Sequence, residues 1–124
     1  MTKILLVEDN PMNRDMLSRR LVRRGFEVVC SEDGESVLGI LETENPKLIL
    51  MDISLPGIDG LETTRRVRSD ARFKSLPIIA LTAHAFQSDE LAARAAGCDE
   101  YETKPIELER LIEKMGELLK KNAS

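Results

Sequence analysis

Leu48-Ile49-Leu50-Met51-Asp52-Ile53-Ser54-Leu55-Pro56-Gly57-Ile58-Asp59-Gly60 is the stretch that decides the fold. Its first four residues are apolar with no polar alternation. That pattern suits a strand buried on both faces, as in a parallel sheet. The run stops on one carboxylate, Asp52. A charge is costly inside such a strand, so Asp52 belongs at the carboxyl end, where the chain emerges. Pro56, Gly57 and Gly60 then mark a loop. Ligands of open α/β sheets sit beyond the carboxyl ends of strands. Asp52 is therefore either the chemical centre or a cap for the turn that follows it, and the rest of the chain has to separate the two.

Working outward, the same pattern recurs. Ile4-Leu5-Leu6-Val7 ends on Glu8-Asp9, and Ile78-Ile79-Ala80-Leu81, opened by Pro77, ends on Thr82-Ala83. Phe26 to Cys30 reads as a short strand, and a segment around Tyr101-Glu102-Thr103 leads into Lys104-Pro105. Helices fill the intervals. Asn10 caps one that starts at Pro11, carries Met16, Leu17 and Leu21 at helical spacing, and stops at Gly25. Asp33 is the expected cap of a second, with Val37, Leu38, Ile40 and Leu41 on one side and Asn45-Pro46 at its end. A third follows Gly60 and turns Leu61, Thr64 and Val67 inward. A fourth, rich in alanine, begins at Ser88 and ends at Gly97. The last carries the stripe Leu108, Leu111, Ile112, Met115, Leu118, Leu119, with 122–124 beyond it. Strand then helix, five times over, predicts an α/β fold: a flavodoxin-like, doubly wound, five-stranded parallel sheet with five helices, (βα)5, in one domain over residues 1–124.

Composition narrows the function. The 124 residues suit one core. A net charge of −4 argues against direct nucleic-acid binding, which needs an excess of Lys and Arg to meet phosphate. Three Phe, one Tyr and no Trp leave little for stacking bases. No apolar run approaches the roughly 20 residues of a membrane span. The N-terminal run is also too short for a signal peptide, so the expected location is cytoplasmic and away from the membrane. Cys30 and Cys98 lie far apart with no CxxC spacing, which favours two buried thiols over a disulfide or a metal site.

Four strands end on polar groups at one sheet edge: Glu8 and Asp9, Asp52, Thr82, and Lys104. Singly, each has an ordinary explanation. Glu8 or Asp9 can cap a helix, Thr82 can be a strand residue with a satisfied hydroxyl, and Lys104 can be solvated. Together they are chemically complementary. Two unit charges about 4 Å apart repel by about 4 kcal/mol at an effective dielectric near 20, so three clustered carboxylates call for a cation. Hard oxygen ligands on ordered strand ends suit Mg²⁺. With Mg²⁺ and Lys104 the cluster is close to neutral, and a phosphoryl group can approach Asp52. Attack by that carboxylate gives an aspartyl phosphate, with the metal and Lys104 offsetting charge on the equatorial oxygens. Thr82 is placed to hydrogen-bond a phosphoryl oxygen that appears only after reaction.

LLVEDNPMNR, LILMDISLPGIDGLE, PIIALTAHA, the AAGCDEYETKP segment and the closing helix resemble the receiver domain of two-component response regulators, over essentially the whole chain and in the right order. The opening looks most like that of single-domain regulators of the DivK type, and receivers of hybrid sensor kinases share it. The resemblance implies a signalling switch that catalyses only its own aspartyl phosphorylation and dephosphorylation. In it Asp52 is the phosphoacceptor, and Glu8 and Asp9 form the acidic pair of the Mg²⁺ site, with Asp9 the more direct ligand. Asp52 and the backbone carbonyl of Ser54 complete the protein ligands. Thr82 and Lys104 contact the phosphoryl group, and the Lys104-Pro105 bond is cis. Tyr101 matches an aromatic switch position, although a half-buried tyrosine anchoring the last strand would look the same. Ser54 and His84 occupy positions that tune phosphate lifetime. His84, the only histidine, is not expected to carry phosphate.

The implied phosphodonor is a histidine kinase or a histidine phosphotransfer protein. The chain is expected to end just after its fifth helix without an output domain. Output then goes to a downstream protein through helix four, strand five and helix five, roughly Ser88 to Lys120. Arg14, Arg19, Arg20, Arg23 and Arg24 make the first helix basic, either as a solvated face or as a docking surface for an acidic donor. A receiver cut from a hybrid kinase, and a receiver-shaped adaptor that works without phosphate, remain as alternatives. Two others fit less well. Aspartyl-nucleophile phosphatases want a second Asp where Ser54 stands. An FMN carrier wants a phosphate loop where Glu8-Asp9 would repel the ligand.

Overall fold

The computed structural model describes residues 2–83 and 87–122. Its three most apolar runs form the middle of the sheet: β1 (Lys3–Val7), β3 (Leu48–Asp52) and β4 (Ile78–Thr82). The mixed segments β2 (Glu27–Ser31) and β5 (Glu100–Thr103) take the two edges, where half their surface can stay wet. The order is β2-β1-β3-β4-β5, with every pairing parallel. Five helices join the strands: α1 (Pro11–Arg23), α2 (Val37–Glu44), α3 (Gly60–Ser69), α4 (Gln87–Ala96) and α5 (Leu108–Asn122).

Side chains of a strand alternate between faces, and each face has its own helices. Leu5, Val7, Ile49, Met51, Ile78 and Ala80 pack against Val37 and Leu41 of α2, Val67 of α3 and Ala93 of α4. Ile4, Leu6, Leu48, Leu50, Ile79 and Leu81 pack against Leu21 of α1 and Leu111 and Met115 of α5. Each fully buried Leu or Ile stabilises the fold by roughly 1.5–3 kcal/mol relative to an exposed one. The doubly wound sheet therefore follows from uninterrupted apolar strands that need cover on both sides.

Local signals set the helix ends. Asn10 caps α1, its Oδ1 accepting from the amides of Met12 at 2.9 Å and Asn13 at 3.1 Å, and Pro11 opens the helix. Gly25 follows at φ +94°, a left-handed conformation that suits glycine. Four expectations need correction. Asp33 does not cap α2 directly: it accepts from Ser36 N at 2.9 Å in the preceding turn, and the helix begins at Val37. Cys30 is exposed, because it lies on an edge strand; only Cys98 is a buried thiol, and both are free. Met16 is exposed, because the inward face of α1 rests on Leu17 and Leu21. The last helix runs on through Asn122. His84 lies outside the described residues. Among the described residues no helix is long and apolar enough to cross a membrane.

Candidate functional site

The parallel register brings the strand ends to one edge. Val7 sits opposite Met51, Asp52 opposite Leu81 and Thr82 opposite Thr103. The ladder continues one residue beyond the strands: Glu8 N donates to Ser31 O, Ile53 N to Leu81 O and Lys104 N to Thr82 O. Glu8, Asp52, Thr82 and Lys104 are thus placed by backbone hydrogen bonds before any side chain is considered. Glu8 is 4% exposed, Asp52 2% and Thr82 2%, while Asp9 is open to solvent. A helix closes on the site from behind. A Cβ on Gly60, the first residue of α3, would stand 2.3 Å from the Asp52 carbonyl oxygen, so that approach needs glycine.

Lys104 Nζ lies 3.0 Å from Glu8 Oε1 and 3.3 Å from Asp52 Oδ2. The other oxygen of Asp52 accepts from Ser54 N at 3.0 Å, and Glu8 Oε2 accepts from Asn10 N at 3.3 Å. The Lys104-Pro105 peptide is cis. One ammonium cannot balance two buried carboxylates. Burial, with a hydrogen bond to Asp52 and its charge, pushes the Glu8 carboxyl up to about 7. At Lys104 burial disfavours the charge, but Glu8 and Asp52 outweigh it and hold its pKa above the usual lysine value.

Glu8, Asp9 and Asp52 each offer an oxygen, and the three lie within 4.8 Å of one another. Two of the donors are buried and underneutralised, and all are hard oxygens. That set fits Mg²⁺, which uses one or two carboxylates and keeps the remaining positions for water or phosphate. Thr82 stands on the neighbouring strand end, with its hydroxyl within hydrogen-bond reach of the Tyr101 phenol. Tyr101 is half-buried, packs beside the α2–α4 face of the core, and has its pKa raised by burial and by Asp89.

The expected residues Glu8, Asp9, Asp52, Thr82 and Lys104 gather at one edge. Two further residues were not legible. Arg14 Nη1 donates to the Glu8 carbonyl at 3.0 Å and so braces the acidic pair from α1. In sequence it is one of five similar arginines. Glu102 is 2% exposed and held by Arg110 and Lys114 of α5. Its place between Tyr101 and Thr103, both facing the opposite side of the strand, was the available signal. Size does not mark the site: a cleft of about 880 Å³ opens at the opposite edge, between Lys47, Phe73 and Leu119.

The sequence model of the response regulator receiver domain matches residues 4–116. The polar-differentiation response regulator DivK of Brucella ovis is 39% identical over 114 residues, covering 91% of this chain and 93% of that protein. A response regulator from Chloroflexus aurantiacus superposes with a TM-score of 0.91 at 34% identity, covering 95% of this chain and 97% of that one. The receiver domain of a Pseudomonas aeruginosa sensor histidine kinase, with magnesium coordinated in its active-site cleft, gives 0.88 at 36% identity over 95% and 97% of the two chains.

Proposed function

Because the chain belongs to the response regulator receiver family, and so serves two-component signalling as a receiver rather than as an enzyme in the ordinary sense, we propose that Asp52 accepts a phosphoryl group from the phosphohistidine of a kinase or a histidine phosphotransfer protein. The observation that carries this reading is the underneutralised pair Glu8–Asp52, with Lys104 aimed at both carboxylates. The reading treats residues 1–124 as one receiver domain working in the cytoplasm.

An Asp52 carboxylate oxygen attacks phosphorus. The new O–P bond forms as the donor's N–P bond breaks, and the electron pair stays on the imidazole, which takes up a proton. Lys104 follows the charge that develops on the phosphoryl oxygens. Glu8, Asp9, Asp52 and the Ser54 carbonyl would hold Mg²⁺, which would supply charge neutralisation and orientation when bound. Hydrolysis of the acyl phosphate later returns Asp52 and inorganic phosphate. A phosphoryl oxygen competes with Tyr101 for the Thr82 hydroxyl. That exchange biases two conformations of the surface formed by α4, β5 and α5, to which a downstream protein binds. A coupling of about 1–3 kcal/mol is enough for a useful switch.

Docking of the donor falls to α1. A cleft of about 490 Å³ runs from Met16, Leu17 and Arg20 to Lys104, Pro105 and Ile106, with Glu8 in its lining. Met12 and Met16 are exposed on the same helix. An apolar strip beside arginines suits an acidic, amphipathic partner helix. Charge reversal at Arg19 and Arg20 is expected to slow phosphotransfer from such a donor, and unchanged rates would remove this part of the reading.

Intact mass after incubation with a small acyl-phosphate donor tests the chemistry. The expected result is one phosphoryl group that requires Mg²⁺ and is absent in Asp52→Asn. No addition to folded protein either from this donor or from a phosphorylated histidine phosphotransfer protein overturns it and favours an adaptor that works without phosphate; addition from the phosphohistidine alone supports it and shows dependence on that donor.

A further inference from the structure

Glu102 is a carboxylate on an edge strand with only 2% of its surface exposed, opposite Leu81 in the register of β4. Apolar packing alone would cover that position. Instead both its oxygens are paired with cations of α5: Oε1 accepts from Arg110 Nε at 3.0 Å, and Oε2 lies 2.7 Å from Lys114 Nζ as an ion pair without hydrogen-bond geometry. Lys114 Nζ also donates to the backbone carbonyl of Tyr101 at 2.8 Å and lies 3.7 Å from Glu100. From the other side, Arg94 of α4 donates to the Asp99 carbonyl at 2.9 Å and pairs with Glu100. The outer edge of β5 is therefore gripped by Arg94 of α4 and by Arg110 and Lys114 of α5, which also blocks pairing with another strand.

Buried ion pairs add little net stability over apolar residues of similar shape, so stability is a poor reason for this arrangement. Direction is a better one. The apolar seam of α5, Leu111 and Met115 with their neighbours, holds the helix to the sheet but does not fix its position along the strand. Lys114 contacts a backbone carbonyl and a side chain of β5 at once, and so ties the helix to particular residues. Those residues are Tyr101, whose phenol meets Thr82, and Glu102, two positions before Lys104.

We infer that Glu102, Arg110 and Lys114 form a clasp joining the strand that carries Tyr101 and Lys104 to α5, so that rearrangement at phosphorylated Asp52 reaches the α5 half of the partner surface. The clasp rests on the phosphoacceptor reading above and adds to it the positioning residues through which one helix is driven. Glu102 and Lys114 touch neither the phosphoryl group nor a metal ligand; they act through β5.

Amide hydrogen exchange of the full chain, with Mg²⁺ and excess acyl-phosphate donor, tests this when intact mass is recorded on the same samples. In the natural protein, phosphorylation is expected to change exchange across α4 and α5 together. Lys114→Met is expected to keep the mass increase and the α4 response, while its α5 response falls by at least about fivefold, the lower end of a useful coupling. Lys114→Arg is expected to restore it. If Lys114→Met fails to fold, Glu102→Leu with Lys114→Met removes the pair without stranding a charge and makes the same prediction. An unchanged α5 response in a folded, phosphorylated variant overturns the clasp, as does a natural protein that is phosphorylated without any α5 response. Failure of the natural protein to gain mass, from the acyl phosphate and from a phosphorylated histidine phosphotransfer protein alike, is a different result: it overturns the phosphoacceptor reading itself, and the clasp with it.

Discussion

Two glutamates are buried near the carboxyl edge of the sheet, and their surroundings differ. Glu8, following β1, shares one lysine with Asp52 and has Asp9 beside it. Glu102, on β5, has Arg110 and also Lys114, a lysine it shares with Glu100. The first cluster has more acid than base and is incomplete without a cation. The second is neutralised by cations of the protein itself, with Glu102 Oε2 held by an ion pair alone. Burial of a carboxylate is therefore common to both clusters; what sets the proposed phosphoacceptor site apart is a local charge balance that the protein leaves open. The displaced Glu8 pKa, up to about 7, is the electrostatic sign of that open balance.

The comparison is sharpened most by Asp52→Asn. This change removes the proposed nucleophile and is expected to abolish phosphoryl incorporation, read by intact mass, while the Glu102 cluster stays intact. Next comes Lys104→Met. It leaves the acids without their cation and is expected to slow labelling by roughly 10²-fold, the usual cost of losing one charge-stabilising donor. Comparable rates for the variant and the natural protein would show that the metal alone balances the cluster.

Glu8 gives the pH test. Its folded pKa, about 7, stands above the ordinary 4.5, so the folded state holds a proton that the unfolded state has lost across that interval. The contribution of Glu8 to the stability of the metal-free protein is then fully present below pH 4.5 and is lost as pH rises through about 7. Thermal melts should show this fall, and Glu8→Gln should flatten it. Mg²⁺ must displace that proton, so its affinity, measured by calorimetry, should rise with pH and level off above about 7. A melt that stays level across this window would place the two glutamates in the same electrostatic class.

The smallest effect belongs to Glu102. Lys114→Met alone leaves a buried carboxylate with one partner and should destabilise by about 2–3 kcal/mol, while Glu102→Leu with Lys114→Met should cost under about 1.5 kcal/mol because the stranded charge has gone. Chemical denaturation separates the two. A double variant weaker than the single would mean that the clasp is a stabilising element after all.

The strands were legible because their apolar runs are uninterrupted, and a run covered on both faces has few homes besides a parallel sheet. The site was legible for a related reason. When apolar strands end abruptly on Glu8, Asp52, Thr82 and Lys104, the parallel alignment carries those residues to one edge. Edge positions were harder. Cys30 and Glu102 sit on the outermost strands, where alternation is weak and burial depends on which helix lies alongside. Cys30 reads as an inside residue and is exposed; Glu102 reads only as part of the short last strand, with no sign of burial, and is buried.

By itself, then, the sequence determined the order of elements, the doubly covered core and the residues that gather at the carboxyl edge, because these depend on periodicity and on where apolar runs stop. Only the tertiary structure decided which charges meet. Glu8 finds Lys104 across 96 positions of chain, and Glu102 finds Arg110 and Lys114 on one face of α5. Electrostatic partnership is set by distances of a few ångströms between elements remote in sequence or rotated about a helix axis, and no local pattern encodes them.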